Sequence, residues 1–275
     1  MIGADGATTS AYDAAVAVTA GRGGSYHGEV AAGWEVGDVP NGGYLIGIAV
    51  EAVLAELQLP DPLSTTTHFL RPAEPGPVTL AVERVRRGRR HGTATVTMRQ
   101  HDRDVLRVLA TAADLAVADG PSLNLRHPPR LPEITTCPTL EEAGPFIERP
   151  ISRHLEMRFD PDHLGFLDGR PSGDGVIAGW ARFADGRGPD VRCCAVFADA
   201  FPPSSTNLEL DVERAPTLEM TVHARARPSP GWLRQVVRTE VVTDGYIIED
   251  GELWDATGVL VAQSRQLALA PRRRS

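Results

Sequence analysis

Apolar residues in this chain fall into two blocks of one design: a nearly uncharged run of helical length, then segments in which apolar and polar positions alternate. The first block spans residues 41–115. Residues 44–57 are apolar on nearly every side, which predicts a helix buried inside a protein layer. After it, Val78, Leu80 and Val82 alternate with Thr79, Ala81 and Glu83, and Ala94, Val96 and Met98 alternate with Thr93, Thr95 and Thr97. That period of two predicts antiparallel strands covered on one face. Residues 86–90 and 101–104 fit the turns between them, and residues 26–36 a short opening strand. The second block spans residues 189–270. It predicts a helix over 191–201 and strands over 217–226, 233–242, 246–254 and 259–268, with a turn at Asp255-Ala-Thr-Gly258. Residues 151–183 read as its opening strands.

The blocks share landmarks. His68-Phe-Leu-Arg-Pro72, followed by Pro75-Gly76, resembles His223-Ala-Arg-Ala-Arg-Pro228, followed by Pro230-Gly231. Between the blocks, residues 119–150 hold seven prolines, which excludes a central strand or a long helix and predicts a linker. The expected organisation is therefore an α+β chain with an N-terminal unit over 1–118, a Pro-rich linker over 119–150 and a C-terminal unit over 151–275. Aligning the blocks puts Asp114 opposite Gln266 and leaves the first helix without a counterpart to Asp199, which predicts one working site per chain.

Composition narrows the function. A formal charge of −8 argues against a general nucleic-acid binder, and 42% hydrophobic residues are enough for sizeable cores. Cys137, Cys193 and Cys194 do not make a disulfide framework, and the adjacent pair reads as small buried side chains. The first ten residues lack the basic and apolar regions of a signal peptide, and the longest apolar helix is too short to span a bilayer. A cytoplasmic location without membrane attachment is expected.

No G-x-S-x-G elbow, dinucleotide fingerprint or P-loop is present, and the histidines show no metal-binding spacing, so neither cofactor nor metal is expected. Three residues stand out. Asp199 is a carboxylate in an otherwise uncharged run; it either faces solvent at the helix end or is hydrogen-bonded and put to use. Gln266 shares a strand face with Leu260, Ala262, Ser264 and Ala268, so it needs a partner, structural or functional. Thr217 opens a strand after Pro216, but its alternation with Glu219, Thr221 and His223 does not direct it at the core. Pro40-Asn-Gly-Gly43 is a turn before a helix, where unpaired amides and two glycines allow a close approach.

Together these segments resemble the type II acyl-CoA thioesterases, which are double-hotdog enzymes: two tandem units, each a long buried helix wrapped by a curved antiparallel sheet. Gly42-Gly43 is similar to that family's Gly-Gly-Gln helix start, with Tyr44 in place of the glutamine. Thr67-His-Phe-Leu-Arg-Pro72 is similar to its His-x-Tyr-Phe-Leu-Arg-Pro segment. Ala198-Asp199, Thr217-Leu-Glu-Met-Thr221 and Gly258-Val-Leu-Val-Ala-Gln-Ser-Arg-Gln266 match the segments carrying its catalytic aspartate, threonine and glutamine. The resemblance implies hydrolysis of acyl-CoA to acid and CoA, with Asp199 as general base, Thr217 and Gln266 orienting the water, and amides near Gly42, Gly43 or Tyr44 polarising the carbonyl. It implies an acyl-CoA or acyl carrier protein substrate and a homodimer or larger assembly. Arg71, Arg86, Arg87, Arg89 and Arg90 are either a solvated hairpin or a site for CoA phosphates. Two other readings of the fold stay open: an enoyl-thioester hydratase or dehydratase using a histidine, with His68 nearest a mouth, and a non-catalytic acyl-thioester binder.

Overall fold

The computed structural model describes residues 9–144, 147–210 and 215–270. Strand pairing dominates it. A short helix α1 (Ala11–Ala15) and strands β1 (Thr19–Ala20), β2 (Ser25–Val30), β3 (Glu35–Val36) and β4 (Val39–Pro40) lead into the long helix α2 (Gly42–Leu57). Strands β5 (Asp61–Phe69), β6 (Gly76–Arg87), β7 (His91–Gln100) and β8 (Arg103–Ala113) follow. The proline-rich stretch contains no strand among the described residues, only one turn of helix, α3 (Leu140–Ala143), and short 3-10 turns. Beyond it come β9 (Leu155–Phe159), β10 (Val176–Phe183), the short helix α4 (Cys194–Ala198), then β11 (Thr217–Ala224), β12 (Leu233–Thr243), β13 (Tyr246–Trp254) and β14 (Leu260–Leu269).

Twelve strands form one antiparallel sheet in the order β1-β2-β6-β7-β8-β5-β11-β14-β13-β12-β10-β9. The alternation along β6 and β7 is realised: Val78, Leu80, Val82, Ala94, Val96 and Met98 are all buried. Helix α2 lies against β5, β6, β7 and β8, and α4 against β11, β13 and β14, and the two helices touch each other. This enclosure explains why α2 is apolar all round. Its two acids are accounted for as well: Glu51 is ion-paired to Arg192 at 2.6 Å and Glu56 to Arg84 at 2.8 Å.

The repeated landmarks meet at the centre of the sheet. In the β5–β11 pair, His68 stands opposite Glu219, His223 opposite Ser64, and Thr66 opposite Thr221. Thr66 and Thr221 occupy matching places in the two blocks, so the duplicated strands are related by a local two-fold through this pair. Their hydroxyls hydrogen-bond at 3.0 Å on that axis. The pairing extends outward in the same way on both sides. Thr65 pairs with Ala110 on β8, and its counterpart Met220 pairs with Gln266 on β14. The residue matching Gln266 is therefore Ala110, and the sequence alignment that set Asp114 there is corrected. Asp114 instead starts a 3-10 turn and pairs with Arg227 at 3.2 Å.

A bulge recurs at matching places too, between Pro62 and Ser64 in β5 and between Thr217 and Glu219 in β11. The predicted helix over 191–201 is also corrected. It is a 3-10 turn over Val191–Cys193 followed by α4, which stops at Ala198. Pro202 and Pro203 follow closely and disfavour a continued helix.

Candidate functional site

Asn41 caps α2, accepting the Tyr44 amide on Oδ1 at 2.8 Å. Its Nδ2 then donates to the Asp199 backbone carbonyl at 2.8 Å and to Asp199 Oδ2 at 2.9 Å. The Gly43 amide donates to the same Oδ2 at 2.9 Å. The first turn of α2 thus holds a carboxylate from the other block, where the helix dipole favours negative charge. Both glycines are needed for this approach. A Cβ on Gly43 would lie 2.2 Å from the Ala195 carbonyl oxygen, and one on Gly42 would lie 2.9 Å from the Phe69 ring and 3.1 Å from Asp199 Oδ2.

Thr217 reaches the site because of the bulge. It stands opposite Ala268 while Met220 stands opposite Gln266, so an extra residue moves Thr217 to the face that carries Gln266. Simple alternation points it away. Its Oγ1 donates to Gln266 Oε1 at 2.9 Å, and Gln266 is buried. The Gln266 side chain in turn helps stabilise the Asp199 carboxylate. Burial raises the Asp199 carboxyl above its ordinary range, and the Gly43 amide, the Arg149 charge, the Gly42 amide and Gln266 oppose that rise. Arg149 is itself buried and bonded to the Ala200 carbonyl, and burial lowers it to about 10, so it stays charged at neutral pH.

These groups line a cavity of about 550 Å³. Its wall is mostly apolar, with Leu45, Phe69, Phe201, Pro203 and Ile247, and Asn41, Arg149, Asp199, Thr217, Glu249 and Gln266 converge on it. An apolar cleft with a few convergent polar groups is the form of a small-molecule site. Among the described residues that line it there is no histidine, and His68 is on the exposed side of β5.

Asp199, Thr217 and Gln266 are thus brought together, with Gly42 beside them. Gly43 contributes through its amide, but that donor is engaged by Asp199 rather than presented to a ligand. Tyr44 is corrected. Its amide is taken by Asn41, its ring stacks on Trp34 at 5.0 Å, and its hydroxyl donates to the Ala15 carbonyl at 3.0 Å and accepts from the Ala31 amide at 2.8 Å. It is a core residue and lies outside the cavity wall. We expect Tyr44→Phe to cost about 1–3 kcal/mol by removing the partner of the half-buried Ala31 amide; a denaturation midpoint equal to wild type would contradict this. Of Arg71, Arg86, Arg87, Arg89 and Arg90, Arg71 alone lines the cavity, while Arg87 bonds the Leu57 carbonyl and Arg90 pairs with Asp119, away from it. Cys193 and Cys194 are buried, and burial drives both thiols up, Cys194 to about 12.

Sequence reasoning missed Arg149, Ser204 and Glu249. Glu249 had a signal: in β13 it shares the inward face with Ile247 and Leu253, an odd place for a lone acid.

Two family models match the chain: the acyl-CoA thioesterase N-terminal domain over residues 30–113 and the acyl-CoA thioesterase C-terminal domain over residues 128–270. A Thermobifida fusca protein described as a thioesterase II is 30% identical, with a TM-score of 0.86 over 96% of this chain and 99% of its own. A conserved hotdog-fold protein of unknown function from Alicyclobacillus acidocaldarius is 25% identical, with a TM-score of 0.81 over 97% of this chain and 100% of its own. An uncharacterized protein of Mycobacterium tuberculosis is 27% identical over 90% of this chain and 91% of its own. Matched by both models across most of its length and built around a mostly apolar cavity on which polar groups converge, the chain belongs to the acyl-CoA thioesterase family and is a thioesterase.

Proposed function

We propose that this enzyme hydrolyses acyl-CoA thioesters to free acid and CoA at a single site made by Asp199, Thr217 and Gln266. The observation that carries this is the Asp199 carboxylate fixed by Asn41 and Gly43 beside the bonded Thr217–Gln266 pair, in an apolar cavity. The Thr217 hydroxyl gives its hydrogen to Gln266, which leaves its lone pairs to accept a hydrogen from a water. Asp199 accepts the other and takes the proton as the water attacks the acyl carbon. Orientation by Thr217 is a positioning effect. With the Gly43 amide already engaged, the positive charge in the wall comes from Arg149 and Arg71, which favour the oxyanion.

The domain reading belongs to the same proposal: a double hotdog with units over 1–118 and 151–275 joined by 119–150. The first block offers no second site, because Pro62 and Ala110 stand where the second has Thr217 and Gln266.

The test is thiol release from acyl-CoAs of graded chain length. Thr217→Val and Gln266→Ala should each lower kcat by about 10²-fold through misdirected water. Absence of thiol release from every acyl-CoA would overturn the proposal. Hydration of an enoyl-CoA without thiol release, or a thermal shift without turnover, would then point to the hydratase or the binding protein.

A further inference from the structure

Glu249 is a second carboxyl in the wall of this cavity. It stands opposite Gln266 of β14 on one side and Thr239 of β12 on the other. Directly opposed side chains of neighbouring strands start about 5 Å apart, so Glu249 neighbours the Gln266 side chain, whose amide also acts on Asp199. Its Oε2 accepts from the Ser204 amide and from the Ser204 hydroxyl, both at 2.6 Å, and that hydroxyl is 2.9 Å from Thr239 Oγ1. These donors are neutral, and Glu249 has no ion-pair partner among the described residues. The charged groups that act on it are Asp199 at the end of α4 and Asp250 next along β13, while Arg149 and Arg71 lie elsewhere in the cavity wall.

Resting on the thioester reading above, we propose that Glu249 is the catalytic acid that protonates the departing thiolate. Burial raises both carboxyls, but their anions are supported unequally. Asp199 has the α2 amides, Arg149 and Gln266 to hold its anion. Glu249 has only Ser204 against burial and the Asp199 charge, and is raised to about 7. A carboxylate held by amides and an arginine beside a carboxyl that lacks them is an arrangement that supplies a base and an acid in one site. As the water oxygen bonds to the acyl carbon, its proton goes to Asp199 and the carbonyl electron pair moves onto oxygen. When that pair returns, the carbon–sulfur bond breaks with its electrons on sulfur, and sulfur takes the Glu249 proton. Acid and thiol leave, and the proton on Asp199 passes through solvent to restore Glu249.

The test compares an acyl-CoA with the same acyl group on p-nitrothiophenol, whose acidic thiol leaves without a proton, across pH 5–9 for wild type, Glu249→Gln and Asp199→Asn. We expect wild-type kcat on acyl-CoA to fall above about pH 7 as Glu249 loses its proton. Glu249→Gln should abolish that fall and lower kcat by about 10²-fold at pH 6, with the loss shrinking to a few-fold on the aryl thioester. Equal losses on both esters, or a falling limb kept in Glu249→Gln, overturns the proposal. If Glu249→Gln fails to fold, Ser204→Ala serves. Removing the hydroxyl donor from the anion, with the Ser204 amide left in place, must move the falling limb to higher pH, and an unmoved limb overturns the assignment. Loss of both activities in Asp199→Asn with none in Glu249→Gln would sink the acid alone, whereas no thiol release by wild type would sink the thioester reading itself.

Discussion

Asp199→Asn lowers kcat for acyl-CoA hydrolysis by about 10³-fold, because it removes the group that takes the water's proton and leaves the surrounding donors in place. The substitution keeps shape and volume, and its oxygen can still accept from Asn41 and Gly43. Stability should not suffer. The folded chain raises this carboxyl, so it favours the protonated, neutral form more than the unfolded chain does. By linkage the ionised group costs stability as pH rises through its folded range, and a neutral amide avoids that cost. A melting temperature within a few degrees of wild type should therefore accompany the lost activity. Turnover within about tenfold of wild type would remove Asp199 from the role of base.

Gly43→Ala destabilises the protein by about 4 kcal/mol or more, the range reserved for severe steric or buried-polar defects. Intrinsic preference argues the other way, since alanine is the better helix former by about 1 kcal/mol. Sterics decide it. The added Cβ would sit 2.2 Å from the Ala195 oxygen, 2.7 Å from its carbonyl carbon and 2.8 Å from Val196 Cα, all backbone atoms that no rotamer change can move. Separating the helices would also pull the Gly43 amide from Asp199, so surviving protein should lose activity. Gly120→Ala is the control, because nothing lies within 4 Å of its Cβ position. Equal denaturation midpoints for the two variants would show that α2 and α4 do not need this close approach.

Periodicity revealed most of the sheet and the all-apolar α2, because each strand face and the enclosed helix leave a regular mark in hydropathy. Asp199 and Gln266 were legible as polar residues on apolar faces. Thr217 was not, because a bulge shifts parity by one residue and hydropathy carries no record of it. Gly42 and Gly43 were read as room for a ligand; Gly42 does line the cavity, whereas the neighbour that approaches Gly43 is α4 and its following aspartate, a tertiary contact 156 residues away along the chain. Tyr44 was misassigned because position after Gly-Gly says nothing of where a ring points. Arg149 sits at the end of a proline-rich stretch without periodicity, so nothing local marked it as buried. The Asp114–Gln266 alignment failed for a related reason: strand ends carry no record of register, which pairing with the central strands determines.

The central β5–β11 pairing has a consequence for solubility. Each of these strands would be an open edge if its block stood alone, nine residues long in β5 and eight in β11. Unpaired strand edges of that length invite pairing with other chains. By closing on each other they remove both hazards at once. The edges that remain are β1, two residues, and β9, five residues. Carrying both blocks in one polypeptide thus gives each exposed edge a permanent, correctly registered partner, available at high local concentration as soon as the chain is made.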